Sequence, residues 1–529
     1  MQGRINGLRR TRLTLDDEKK TVSHESLREL LEARAAATPE KVFLFSESDG
    51  RRFTYSGFDA AVNRAANMLS ARGVGYGDVV SLLLPNSAEY VIAYFACFKT
   101  GALAGPVNSL LKSEEMSYVV GNSEAKALLY DSQFAPQVGE IRGGLKALRE
   151  VVVFDDEAEA TKDFKDEPGE WRETPLARDD EAIIIYTSGT TGKPKGCLLT
   201  HGNLLANARQ ISEWLGFAED DRLLTIMPLF HMNAVSVTTL SALYAGGSTV
   251  VSPRFSASRF WQIVSDYQIT SFGSVATMLS MLLATYPEGV PEGLNTERLR
   301  FAMCGSAPVP AEVMRRFEQT FECPVVEGYG LSESTCRSTF NPPDERRRQG
   351  SCGVSIGNEM RVVDEDDREL PDGAAGEIVL RGENIFKGYF KNEEATTRAF
   401  RGGWFHTGDV GYRDAEGFFH IIDRKSDMII RGGENIYPRE IDELLYKHAA
   451  VAEAAAIGVP DELYGEEVAA FVVLKEGGTA TEDEIKAYCR EHLADYKCPK
   501  TVQVVESLPK GPTGKVLKRE LQRRMKAEG

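Results

Sequence analysis

Hydrophobic positions along the chain change their period in a regular way. Leu27 to Ala37 places apolar residues at helical spacing, and Phe58 to Ala71 does so again, with Gly73 placed to end that helix. Between the next turns, Asp78 to Leu84 is a near-continuous apolar run of strand length, and Ala88 to Thr100 returns to a helical pattern. Ala182 to Thr187 reads as another buried strand, and the alternation continues to about residue 340. Strands alternating with helices predict an α/β architecture with mainly parallel sheets. From 350 to 422 the texture shifts to short strands, such as Arg361 to Val363 and Gly376 to Arg381, separated by Asp/Gly turns. Beyond residue 425, helices near 439–448 and 481–493 alternate with strands near 451–458 and 468–475, a compact α+β unit. Residues 156–181 are acidic and polar and read as a surface connection. Gly73, Gly75 and Gly77 stand between a helix and a strand, the wrong order for a dinucleotide fingerprint, so they read as a cap and a turn.

Composition narrows the function classes. The 529 residues include 62 basic and 79 acidic side chains, a net charge of −17, with 42% apolar and 27% charged residues. This is a globular mixture, and its acidity argues against nucleic acid as the main partner. The eight cysteines, at 97, 197, 304, 323, 336, 352, 489 and 498, include no CxxC pair, so reduced thiols are expected rather than a disulfide framework or zinc site. The first twenty residues lack an apolar signal core, and the longest apolar run, Tyr90 to Phe98, is too short to span a membrane. The expectation is a cytoplasmic protein without integral membrane association.

Candidate chemistry is densest at Thr187-Ser-Gly-Thr-Thr-Gly-Lys-Pro-Lys-Gly196. Thr187, Ser188, Thr190 and Thr191 supply hydroxyls, Gly189 and Gly192 free backbone N–H groups to crowd an anion, and Lys193 and Lys195 add charge. This is a phosphate cradle, but not a Walker loop: the glycine spacing is too short and Pro194 follows the lysine. The segment closely resembles the ATP-binding loop of the adenylate-forming superfamily, which includes acyl-CoA synthetases, amino-acid adenylation domains and firefly luciferase.

Further segments resemble that superfamily in the same order. Gly328-Tyr329-Gly330-Leu-Ser332-Glu333 is similar to its GYGxTE element, with Ser332 keeping the hydroxyl of the usual Thr. The resemblance implies that Tyr329 lies against adenine, Ser332 contacts phosphate and Glu333 holds Mg²⁺. Cys304-Gly305-Ser306-Ala307-Pro308 resembles the adenine-side loop, and Trp404 to Asp409 the ribose segment. Asp409 is then the ribose acceptor, since one carboxylate accepts from both hydroxyls. Asp423-Arg424 resembles the end of the large domain, with Arg424 also reaching ribose. Leu508 to Lys515 resembles the C-terminal catalytic loop, which makes Lys515 the catalytic lysine. By composition alone Lys515 is one cation among many, because the last thirty residues hold eight basic and three acidic side chains. The same context in bacterial relatives implies acetylation of Lys515, which would remove its charge.

The resemblance implies a fold class: α/β, with a large N-terminal domain of two α/β subdomains plus a β-rich subdomain, and a small mobile α+β C-terminal domain. The boundaries are 1–425 and 426–529, with the hinge at Ser426, where the family usually has Asp or Lys. Arg431, Gly432 and Gly433 are expected to line a CoA tunnel. Pro228-Leu-Phe-His231 resembles an element at the carboxylate end of the acyl site, so His231, Met232, Asn233, Ala276 and Gly305 are the candidate acyl pocket. Ala276 replaces a commonly seen Pro, Asn233 is either a polar substrate contact or a helix cap, and the small residues leave room for more than acetate. The implied reaction is an ATP- and Mg²⁺-dependent activation of a carboxylic acid as acyl-AMP, followed by transfer to coenzyme A. A stand-alone adenylating enzyme loading a carrier protein in trans is the alternative, and a nucleotide-binding regulator or an oxygenase like luciferase are more distant ones. Oligomeric state and the identity of the acid stay open.

Overall fold

The computed structural model describes residues 24–155, 175–187, 193–305, 309–511 and 516–528. Two seven-stranded sheets carry the first four hundred residues. One has the order Val325–Glu327, Phe301–Cys304, Ser271–Ser274, Arg222–Thr225, Ser248–Val251, Val42–Ser46 and Arg52–Thr54. Its pairs are parallel except for the edge hairpin made by the last two strands. The other has the order Gly388–Tyr389, Lys195–Thr200, Glu181–Thr187, Leu103–Pro106, Val79–Leu83, Ala127–Tyr130 and Glu150–Val153. Here the centre is parallel and the Lys195–Thr200 edge is antiparallel on both sides.

The helices between the sheets explain the long apolar stretches. In Ala88–Thr100 every residue is buried, capped at its start by the Ser87 side chain and at its end by Gly101 with φ of 72°. Lys99 is buried there only because Glu32 and Asp59 lie 2.9 and 2.7 Å from its ammonium. One hydrophobic cluster joins this helix to Tyr55–Ala71, His201–Leu215 and strands of both sheets. Asn233–Leu240 is a π-helix: the Ser241 N–H donates to the carbonyl of Ser236, five residues back.

A five-stranded antiparallel sheet of Glu359–Val363, Gly376–Arg381, Phe400–Arg401, Trp404–Arg413 and Phe419–Arg424 is the β-rich unit. After it comes a second five-stranded sheet, from Ile429 to Val504, flanked by Pro438–Lys447, Glu482–His492 and Lys518–Glu528. Its hydrophobic clusters run from Ile429 to Leu521 and share no residue with the clusters before Phe419. Across the junction Asp423 accepts from the Arg439 N–H at 3.0 Å, and the Arg439 guanidinium donates to the Ile421 carbonyl. Among the described residues no helix is long and apolar enough to cross a membrane.

Candidate active site

The phosphate loop joins two antiparallel strands, Glu181–Thr187 and Lys195–Thr200, so it is the turn of a hairpin rather than a strand-to-helix turn. Ser188, Gly189, Thr190, Thr191 and Gly192 lie outside the described residues, as do Ser306, Ala307, Pro308 and Lys515. The hairpin's flanks are fixed. Lys195 Nζ lies 4.2 Å above the Tyr389 ring, Lys193 Nζ lies 5.1 Å above the Tyr118 ring, and Tyr118 donates to the Pro194 carbonyl at 3.2 Å.

Glu333 sits in the short turn Ser332–Ser334 and is 9% exposed. Its Oε1 accepts from Tyr389 Oη at 3.0 Å and faces Thr187 Oγ1 at 3.4 Å. Burial and then the Glu333 carboxylate push the Tyr389 hydroxyl far above its usual range, so it stays a donor. Mg²⁺ is commonly held by one or two carboxylates together with substrate phosphates and water. A lone carboxylate beside a phosphate loop fits that pattern. Among the described residues no cluster of three or more His, Cys, Asp or Glu could hold a metal by itself.

The turn holding Glu333 is shaped by close backbone approach. A Cβ at Gly330 would lie 2.0 Å from the Cys336 carbonyl oxygen, and one at Gly328 would lie 2.6 Å from that of Thr339. Glycine is required at both because backbone, which cannot swing aside, occupies the space. Tyr329 between them is fixed by its N–H, which donates to Thr339 Oγ1 at 3.1 Å.

From there the Tyr329 hydroxyl donates to Asp409 Oδ2 at 2.6 Å, and Arg424 Nε lies 3.3 Å from Asp409 Oδ1. Asp409 and Arg424 face each other across an antiparallel pair of strands, and Asp409 is 4% exposed. Burial, and Asp409 after it, push the Tyr329 phenol well above its ordinary value. Burial works against the Arg424 charge, but Asp409 and Asp427 outweigh it and raise its pKa. The structure therefore joins Tyr329, Asp409 and Arg424 into one cluster, and Glu333 and Thr187 into another.

A third group gathers at the C-terminal edge of the strands Ser271–Ser274 and Phe301–Cys304. His231 is neutral at pH 7, since burial lowers its pKa to about 4, and its Nε2 has no partner. Asn233 opens the π-helix, 5% exposed, with both amide atoms unpartnered. It makes no side-chain cap hydrogen bond. Met232 is buried, and Ala276 is half-buried at the first position of Ala276–Thr285. Gly305 opens no free room: a Cβ there would meet Arg337 Nη2 at 2.7 Å.

Other expected residues stand apart from these clusters. Arg431 pairs with Glu467 at 2.6 Å and stacks over Tyr464, while Gly432 and Gly433 have φ of 59° and 92° in the hairpin that follows. Ser426 is exposed and its hydroxyl lies 3.0 Å from Asp427. Sequence reasoning missed Tyr389 and Arg337. Tyr389 carries no motif signal. Arg337 carries one, as a cation four residues after Glu333 in an otherwise small and polar stretch.

Comparison with known proteins matches residues 31–390 to the family described as AMP-binding enzyme, and residues 440–515 to the AMP-binding enzyme C-terminal domain. A sulfoacetate–CoA ligase of Cupriavidus necator is 37% identical over 505 residues, covering 94% of this chain and 97% of the relative. A feruloyl-CoA synthase of Amycolatopsis is 37% identical, covering 90% of this chain and 94% of the relative. The crystal structure of ATP-bound MatB from Rhodopseudomonas palustris superposes with a TM-score of 0.88 at 32% identity, covering 94% of this chain and 99% of that one.

Proposed function

Since the chain belongs to the AMP-binding enzyme family, we propose that it activates a carboxylic acid with ATP and passes the acyl group to coenzyme A. It is an acid–thiol ligase of the AMP-forming type. A substrate carboxylate attacks the α-phosphorus of ATP, giving acyl-AMP and pyrophosphate. The CoA thiol then attacks the acyl carbonyl and AMP leaves. The observation that carries this reading is a pair of clusters: Tyr329–Asp409–Arg424, and Glu333 with Thr187 at the end of the strand that leads into the phosphate loop.

Each cluster has a separate task. Asp409 offers two acceptor oxygens to ribose hydroxyls, and its bond to the Tyr329 hydroxyl fixes that ring as a wall for adenine. Arg424 pairs with the other oxygen of Asp409. Ser332 contacts a nucleotide phosphate, and Glu333 would hold Mg²⁺, which would neutralise phosphate charge when bound. Neutral His231 orients the incoming carboxylate without pairing with it as a cation. The reaction brings two anions together, so catalysis is positioning plus opposite charge. We assign Lys515 as the cation that meets the transition state. Supporting this are the superfamily loop that holds it and the C-terminal family match, which ends at that residue. Residues 1–425 and 426–529 are the two domains, with Ser426 the hinge and Arg431, Gly432 and Gly433 reaching the pantetheine arm after the turn. The cytoplasm, which supplies ATP and CoA and keeps the eight unpaired cysteines reduced, is the matching compartment.

The test is a panel of carboxylic acids with ATP and Mg²⁺, reading pyrophosphate release and CoA-dependent thioester formation. Lys515→Ala should lower pyrophosphate exchange by about 10²-fold or more, the loss expected for one transition-state electrostatic contact. A Lys515→Ala enzyme that exchanges pyrophosphate at the wild-type rate overturns the assignment. Acyl transfer only to a carrier protein, with none to CoA, overturns the acceptor.

A further inference from the structure

We propose that Arg337 makes the acyl site selective for carboxylic acids that carry a second anionic group, a carboxylate or a sulfonate. This rests on the ligase reading above. Arg337 is 2% exposed, and its Nε and Nη2 have no hydrogen-bond partner. Its Nη1 reaches only the Cys336 carbonyl, at 3.4 Å. Among the described residues no carboxylate lies within ion-pair distance of it. The Phe340 ring, 5.3 Å from the guanidinium carbon, offers a weak substitute for an anion. Lys99, buried as deeply, is matched by two carboxylates. A buried guanidinium without its anion is costly to keep, and a chain that keeps one holds it for a charge supplied from outside.

The position says which ligand supplies that charge. Arg337's backbone is clamped by Asn207: the Arg337 N–H donates to Asn207 Oδ1 at 3.3 Å and its carbonyl accepts from Asn207 Nδ2 at 2.7 Å. Asn207 in turn accepts from Ser236 of the π-helix at 3.0 Å. That helix begins with Asn233, whose Oδ1 lies 3.0 Å from the Cβ position of Gly273, while Arg337 Nη2 lies 2.7 Å from the Cβ position of Gly305. Gly273 and Met303 are paired across adjacent parallel strands, and Gly305 follows two residues later. Gly305 lies one residue past the end of its strand, and strand spacings put the two glycines roughly 8 Å apart. So the guanidinium and an unsatisfied amide converge on the carboxyl edge of a parallel sheet, where such folds bind ligands. His231, two residues before Asn233 in the chain, carries a further buried nitrogen without a partner. Three unpartnered polar groups are wrong for an alkyl tail and right for a short acid with polar atoms at both ends. In the reaction one carboxylate attacks phosphorus and pyrophosphate leaves; the second anion stays unchanged, held by Arg337.

The experiment uses the full chain with ATP and Mg²⁺ and length-matched acids: malonate with propionate, succinate with butyrate, glutarate with valerate, and 3-sulfopropionate. Aryl and medium-chain acids are run alongside. The expected kcat/KM for the best dianionic acid exceeds that of its monoanionic match by about 10²-fold or more, since a site built to pair a polar group rejects the analogue lacking it. Arg337→Met should abolish or invert that ratio, and Arg337→Lys should restore part of it. A wild-type enzyme that prefers the monoanionic acid in every pair, or an Arg337→Met enzyme that keeps the wild-type ratio, overturns the inference and leaves the ligase reading standing. Should Arg337→Met fail to fold by circular dichroism, the wild-type series decides alone. Pyrophosphate release with no acid of any kind overturns the ligase reading itself, and this inference with it.

Discussion

Replacing Asp409 with Asn tests the nucleotide site at its most constrained point. The substitution keeps the shape of the side chain and removes its charge. Asp409 accepts from Tyr329 at 2.6 Å, faces Arg424 Nε at 3.3 Å, and is almost fully buried. Hydrogen bonds to a charged group contribute about 1.5–3 kcal/mol each. Asn keeps one acceptor oxygen, so the variant loses one such bond to ribose. The ion pair with Arg424 adds less, because that guanidinium is 39% exposed and partly screened. A loss of that size corresponds to roughly 10- to 150-fold in kcat/KM for ATP. Initial-rate pyrophosphate release at varied ATP reads it directly. Two controls separate a ribose contact from a structural role. Tyr329→Phe removes the internal bond but spares the carboxylate, so it should cost much less. Substituting 2′-deoxy-ATP should slow the wild type strongly and Asp409→Asn hardly further, because the partner is already gone. Equal losses in Asp409→Asn and Tyr329→Phe, with 2′-deoxy-ATP slowing both enzymes alike, would refute the reasoning.

Two further outcomes follow from buried groups near this site. Gly330→Ala drives a methyl against the backbone of Cys336 and Arg337, with contacts of 2.0–2.8 Å, and should destabilise the fold by about 3 kcal/mol while displacing the Glu333 turn; unchanged melting and activity would contradict the close approach. Burial pushes the Glu327 carboxyl up to about 7 from 4.5, and its Oε2 has no partner. Folding therefore favours the protonated form: this stability is complete below pH 4.5 and is lost as pH rises through 7, at a cost of about 3 kcal/mol above it. Glu327→Gln should flatten the fall in melting temperature between pH 5.5 and 8.5, and a variant with the wild-type slope would show that the carboxyl titrates normally.

Where local chemistry decides an element, the sequence declares it to the residue. Leu27–Ala37 and Ala88–Thr100 match their expected spans because Ser26 and Ser87 cap them with side-chain bonds three residues long. The second helix begins at Tyr55 rather than Phe58, since Thr54 caps it and the polar first turn hid that start. Other features have no local signature. The π-helix lies in a buried segment where every residue is covered, so no polar face reveals its wider turn. The phosphate loop read correctly as not a Walker loop, yet its antiparallel hairpin depends on strand pairing that the α/β alternation does not announce. Glu333, Tyr329 and Asp409 were legible because a motif surrounds each. Tyr389 was not, because its partner Glu333, 56 residues away, gives it its meaning; Arg337 stands out only as a cation close after Glu333, and its clamp by Asn207, 130 residues away, has no local signature.

The junction after Arg424 has a further consequence. Because the small C-terminal unit carries its own buried clusters, turning it leaves most hydrophobic stabilisation untouched. What changes across the junction includes exchangeable polar contacts, such as Arg439 with Asp423 and with the Ile421 carbonyl. Water replaces bonds of this kind at a net difference of about 1 kcal/mol each. If the unit turns between the half-reactions, as the proposed function has it, two orientations separated by only a few kcal/mol would keep the minor one populated at about 0.1–10%. On that reading, release of pyrophosphate, which removes charge from the site, is the event that would shift the balance and separate the two half-reactions.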